Sequence, residues 1–187
     1  MNSITQHLRA EHERVRLAVA CLDTLASEVL DGRALAREDA LDVLRYLELA
    51  VDRMHQDKEE RVLFPALLRT NHLADRICGL ICDHDAERRV LARLQRAMGD
   101  TCDENARGSR FFALLAQEYC RAQSAHADVE DTILLPLADE LIDPRDQRML
   151  CARAIAIEFE YGAEELEAVW KALESVAARL HLELPRA

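Results

Sequence analysis

The strongest constraint on this chain is a helical period that almost nothing interrupts. Apolar residues recur in steps of three and four over stretches of 25 residues or more. Only 5 Gly and 4 Pro in 187 residues are available to break them. Stripes of this kind must be buried against one another. The first helix is expected from about Ile4 to Leu30, with Ser3 as N-cap and Asp31-Gly32 as the stop. Its stripe is Leu8, His12, Val15, Val19, Leu22, Ala26 and Val29. The second runs from about Glu38 to Leu68, with Leu44, Leu47, Val51, His55, Glu59 and Val62 inward and Pro65 kinking or tightening its last turns. The third covers about Leu73 to Met98 and carries Ile77, Leu80, Ile81, His84, Leu91, Leu94 and Met98.

Residues 99–108 are loop-like, and Ser109 is placed to cap a fourth helix. That helix bears Phe112, Leu115, Tyr119, Ala122, His126, Glu130, Ile133 and Leu137, with Pro136 near its end. Asp143-Pro144 reads as an N-cap followed by Pro at the first helical position. A fifth helix follows to about Leu180, with a heptad-like seam of Ile155, Phe159, Gly162, Leu166, Val169, Leu173, Val176 and Leu180. The fold class is all-α. Residues 1–142 are expected to form an up-down-up-down four-helix bundle, because short connections make neighbouring helices antiparallel. Residues 143–187 form a C-terminal helical extension that packs on the bundle and offers a face for a homodimer.

Composition narrows the class further. Four Phe, three Tyr and one Trp are too few for most all-β folds, and half the residues are hydrophobic, which excludes disorder. A net charge of −11 repels phosphates, so no nucleic-acid or anionic membrane partner is expected. No apolar run approaches the roughly 20 residues that span a bilayer. Met1 to His12 is polar and lacks a signal-peptide core, so a cytoplasmic location is expected. The six cysteines, Cys21, Cys78, Cys82, Cys102, Cys120 and Cys151, form no C-x-x-C pair and are expected as small buried hydrophobes.

Six residues on the stripes are out of keeping with their neighbours: His12, His55, Glu59, His84, His126 and Glu130. A carboxylate is almost never buried without compensation, and here two face one core. At a rise of about 1.5 Å per residue, an antiparallel bundle brings all six to the same height. They also repeat. His12 to His84 is 72 residues; His55 to His126, Glu59 to Glu130 and Pro65 to Pro136 are each 71. Each half supplies a lone His, then H-x-x-x-E, then Pro six residues after the Glu. The i,i+4 spacing sets imidazole and carboxylate on one face. Each carboxylate has two oxygens and can bridge two cations, with the histidines completing the set. Mixed nitrogen and oxygen donors suit Fe, Mn or Zn, and six protein ligands leave a coordination position open to a small molecule.

The two segments H-Q-D-K-E-E-R-V-L-F-P and H-A-D-V-E-D-T-I-L-L-P resemble the hemerythrin-like, or HHE cation-binding, family. The resemblance covers about residues 4 to 142. It implies a four-helix bundle with a non-haem di-iron centre, that is two iron ions, held by His12, His55, Glu59, His84, His126 and Glu130. The oxygen-carrying members have a second His one turn after the helix-three His, where this chain has Arg88, and an Asp with one more intervening residue where it has Glu130. Four His and two Glu are instead similar to the repair-of-iron-centres proteins tied to nitric-oxide and oxidative stress. The implied activity is binding of, or reaction with, a diatomic or peroxide ligand. A metal-dependent sensor without turnover and an oxygen carrier are the alternatives.

Other residues have plainer expectations. Asp83 and Glu87 flank His84 and are expected on a solvated face. Tyr119 shares the His126 stripe and is expected to pack in the core. Arg88 either balances a bound anion or lies on the surface. Cys78 and Cys82, one turn apart, are expected as buried structural residues rather than a redox or iron-delivery pair. His7, His72 and His181 are expected on the surface.

Overall fold

The computed structural model describes residues 3–69, 73–99, 101 and 106–185. His72 and Cys102 lie outside the described residues. Among those described there are six continuous helices and no strand. They are α1 (Ile4–Leu30), α2 (residues 37–68), α3 (Ala74–Gly99), α4 (residues 106–141), α5 (Pro144–Tyr161) and α6 (Ala163–Arg179). Helices α1 to α4 make the expected bundle, with α4 packed between α1 and α3.

Helix ends follow local chemistry. The Ser3 hydroxyl accepts from the Gln6 amide while the Gln6 side chain accepts from the Ser3 amide, a reciprocal cap at the start of α1. Asp31 closes α1, and Gly32 takes φ +91°, which a side chain would resist. Asp143 caps α5 through the Arg145 amide, with Pro144 in the first turn. Ser109 is not a cap, because α4 already begins at Ala106.

The two prolines act differently from the expected kink or tightening. Pro65 and Pro136 have no N–H, and their rings crowd the carbonyl four residues back. The helix widens instead. The Phe64 N–H reaches five residues back to the Glu59 carbonyl, and the Leu135 N–H to the Glu130 carbonyl. A π-helical turn therefore begins at each stripe glutamate, over Glu59–Leu63 and Glu130–Leu134. A further π stretch, Leu47–His55, precedes the first. The extra residue in the α4 turn displaces its stripe by one step. Leu134 and Ala138 are fully buried where Ile133 and Leu137 were expected, and those two are half-buried.

Two apolar clusters fill the bundle on either side of a polar layer. One contains Val15, Leu22, Val51, Leu91, Phe112 and Tyr119. The other contains Leu8, Val62, Phe64, Ile77, Leu80 and Leu134. The sequence positions between them on each helix are those of the six stripe residues.

The expected fifth helix is two. Gly162 adopts φ +86° and ψ 106°, which ends α5 and starts α6 in a new direction. Helix α5 adds Leu150, Cys151, Ala154 and Ile157 to the second cluster, and α6 adds Leu173, Val176 and Ala177 to the first. The proposed seam is therefore broken at its middle, and Phe159 is 73% exposed.

Candidate metal centre

All six predicted residues converge, and all six are buried. Their donor atoms form two groups, His12, His55, Glu59 and Glu130, and then His84, His126, Glu59 and Glu130. Both glutamates belong to both groups. Glu59 sends Oε1 to within 3.6 Å of His55 Nε2 and Oε2 to within 3.3 Å of His84 Nε2. Glu130 sends Oε2 to within 3.3 Å of His12 Nε2 and Oε1 to within 3.3 Å of His126 Nε2. The Nε2 atoms of His12 and His55 are 3.2 Å apart, and those of His84 and His126 are 3.1 Å apart.

Carboxylates on the outer side of the rings decide which nitrogens face inward. His12 Nδ1 donates to Asp131 Oδ1, His55 Nδ1 to Glu11 Oε2 and His84 Nδ1 to Glu60 Oε1, each at 2.8 Å. A neutral ring that donates from Nδ1 carries a lone pair on Nε2. With the rings neutral, lone pairs on nitrogen and oxygen point at one another across each group. All four oxygens of Glu59 and Glu130 are buried and lack a hydrogen-bond partner. The nearby imidazole nitrogens lie within ion-pair distance but not in hydrogen-bonding alignment. Convergent, unsatisfied acceptors are the donor set a divalent cation requires, so the residues fit a metal.

Protons meet part of the same electrostatic demand. Burial opposes charge on His12, but its hydrogen bond to Asp131 and the adjacent Glu130 carboxylate outweigh it and push its pKa up to about 10. His126 rises to about 9 as the facing Glu130 carboxylate overcomes burial. Burial and the facing Glu130 raise Glu59, whereas Glu130, despite burial, is held low by His12 and His126. The two carboxyl groups titrate as a pair.

The fourth histidine is held differently. His126 Nδ1 has no hydrogen-bond partner; Asp83 Oδ2 is 3.8 Å away and Glu87 Oε1 is 4.0 Å away. Asp83 is on the solvated face as expected, with its side chain 60% exposed. Glu87 is not. It is 3% exposed, accepts from Gln56 Nε2 at 3.1 Å, and is pushed by burial up to about 7. One turn of α3 separates it from His84, which carries it into the bundle rather than out.

Arg88 is neither an anion site nor a free surface residue. Its guanidinium donates to Asp52 at 3.1 Å and to Glu60 at 2.8 Å, bracing the carboxylate that holds His84. Tyr119 is core, as expected, with its hydroxyl donating to Gln123. His181 is exposed, but His7 is not the surface residue expected. It lies 2.9 Å from Glu158 and 3.3 Å from Glu11, beside the fully buried Lys58. Lys58 donates to Glu11 and, at 2.6 Å, to Glu158. Cys21, Cys120 and Cys151 are buried, whereas Cys78 and Cys82 are exposed. The inward face of α3 is taken by Ile77, Leu80, His84 and Glu87, so both thiols turn to solvent.

Glu11, Glu60 and Asp131 escaped the sequence reading, although a signal for them existed. Glu11 and Asp83 each precede a lone His, 72 residues apart; Glu60 and Asp131 each follow a stripe Glu, 71 apart. They share the repeat of the residues they support.

A four-helix bundle with a buried layer of four imidazoles and two shared carboxylates defines a cation-binding helical protein. Comparison with family models gives the particular one: residues 3–138 match the hemerythrin HHE cation binding domain, and the chain belongs to that family. Comparisons with curated proteins and with solved structures gave no match. Among the described residues no helix is long and apolar enough to cross a membrane.

Proposed function

We propose that this is a non-haem di-iron protein that binds or reacts with a small ligand, O2, NO or peroxide, at an open iron position. Its setting is nitric-oxide or oxidative stress, or iron handling. His12 and His55 would hold one iron and His84 and His126 the other, with Glu59 and Glu130 available to both. Residues 1–142 are the metal-binding unit and 143–187 an extension to it. The observation that carries the reading is the four partnerless oxygens of two buried glutamates, each directed at a different histidine.

The chain's own part is to hold donors and protons in place. Glu11, Glu60 and Asp131 fix three rings with Nε2 inward, so those nitrogens are oriented to give up any proton and take a cation in its place. Apolar clusters above and below exclude water from the layer. Iron, when bound, supplies electron exchange and an electrophilic position for the incoming ligand.

A second reading, a metal-dependent sensor without turnover, draws on the same orphaned oxygens, since a cation that satisfies them also stabilises the bundle. One set of measurements separates these. Protein purified without oxygen should hold about two irons per chain, and His55→Ala or Glu130→Ala should lose much of that. Metal content unchanged in both variants would remove the site assignment. Absorption spectra of the reduced, oxidised and NO-treated forms then report the ligand. Turnover of peroxide or NO supports an enzyme, stabilisation by metal without turnover a sensor, and a reversible band with O2 a carrier.

A further inference from the structure

Where α5 and α6 cover α1 and α2 they leave a cavity of about 390 Å³, within the range of pockets that take small organic molecules. Its walls come from both sides. Tyr46, Ala50 and Met54 of α2 face Phe159, Leu166 and Trp170 of the C-terminal helices. Phe159 is 73% exposed at the rim, an aromatic side chain that the protein itself does not cover. The C-terminal wall lies beyond residues 3–138, the region matched by the family.

The charges in this cavity are unequal in their freedom. Glu11 is held by Lys58 and His55, and Glu158 by Lys58 and His7. Glu167 pairs with Lys171 at 3.1 Å. Arg14 makes no ion pair among the described residues. Its guanidinium sits 4.8 Å over the Trp170 ring, a contact that orients it and leaves its N–H donors unused. The unspent charge of the cavity is thus positive, at the edge of an apolar and aromatic wall.

We infer that this cavity is a binding site for a small organic acid, with its carboxylate on Arg14 and its hydrocarbon body against Trp170, Tyr46 and Phe159. His55 and its partner Glu11 also line the cavity, so it adjoins the metal layer, but the carboxylate contact at Arg14 uses no residue of that layer and its test needs no metal. Trp170 is the only tryptophan of the chain and lies in the wall, so its fluorescence reads occupancy. Metal-free full-length protein is titrated with hexanoate, and with 1-hexanol and hexylamine as neutral and cationic counterparts. Hexanoate should give a saturable change and bind at least about tenfold more tightly than either, from the charge-assisted bonds to Arg14. Arg14→Gln, at an exposed position, should weaken hexanoate by about the same factor and leave the alcohol unchanged. Ala163→Phe, which fills the cavity from the rim, should abolish binding, with circular dichroism confirming that both variants are folded. No saturable change with hexanoate, equal affinity for the three compounds, or undiminished binding in either folded variant would overturn the inference.

Discussion

A carboxylate set among leucines is conspicuous; a carboxylate one residue along, on a polar face, is not. That difference decided which site residues could be read from the sequence. His12, His55, Glu59, His84, His126 and Glu130 stood out because they occupy apolar stripes at a fixed repeat. Glu11, Glu60 and Asp131 are three of 35 acidic residues, and only the fold shows that each receives a ring N–H at 2.8 Å. Glu87 was misread for the same reason, because its inward direction depends on its place one turn below His84. The outer carboxylates carry a prediction. Glu60→Gln and Asp131→Asn should each lower metal affinity by about 10–100-fold in chelator competition, the cost usual for losing such a partner. Asp83→Asn should cost about threefold or less, since Asp83 is 3.8 Å from His126 and mostly in water. Equal losses for all three would show that the hydrogen bonds do not set affinity.

The helices themselves were legible because their period is long and their breaks are few. Two features of the elements were not. A stripe read at 3.6 residues per turn contains no signature of a π turn, which needs the proline's effect on the preceding ladder. Gly162 fits the seam by spacing, and only its positive φ shows that the chain turns there. Ahead of that turn α5 runs alongside α1, where Glu158 meets His7 and Lys58. His7 is raised from 6.5 to about 9: burial opposes its charge, but bonds to Glu11 and Glu158 prevail. A folded-state value above the unfolded one means the contribution to stability is full below about pH 6.5 and disappears as pH rises through about 9. The α5 contact should therefore weaken over that interval by on the order of 2 kcal/mol. Thermal melts of metal-free protein at several pH values, wild type against His7→Gln, test it. The difference between the two should shrink between pH 6.5 and 9; a constant difference would remove the ion-pair account.

At the scale of the whole molecule, the bundle and its C-terminal helices share cores. Leu173 of α6 is fully buried in the cluster that holds Leu22, Val51 and Phe112. Leu173→Ala should cost about 2–5 kcal/mol. Denaturant unfolding should nonetheless remain a single transition for every probe, because α6 has no separate core to melt. A second transition, or a loss below about 1 kcal/mol, would place α6 outside the cooperative unit. The all-α class and the four-helix arrangement followed from the sequence. Packing of the extension on the bundle was expected too, but not the face it covers, since no spacing rule says which bundle face an added helix takes.

The sequence repeat is also imperfect at one place that matters. Seventy-two residues before Glu87 the first half has Val15, and His126 alone lacks the close carboxylate that the other three rings possess. The two halves of the centre are therefore unequal receptors. On the proposed assignment the half built from His12 and His55, with both rings already oriented, should fill first. A half-loaded species would then accumulate when metal is added slowly. Titration should proceed in two stages, with the second weakened by Glu87→Val, which removes an acidic group 4.0 Å from His126 in the later half.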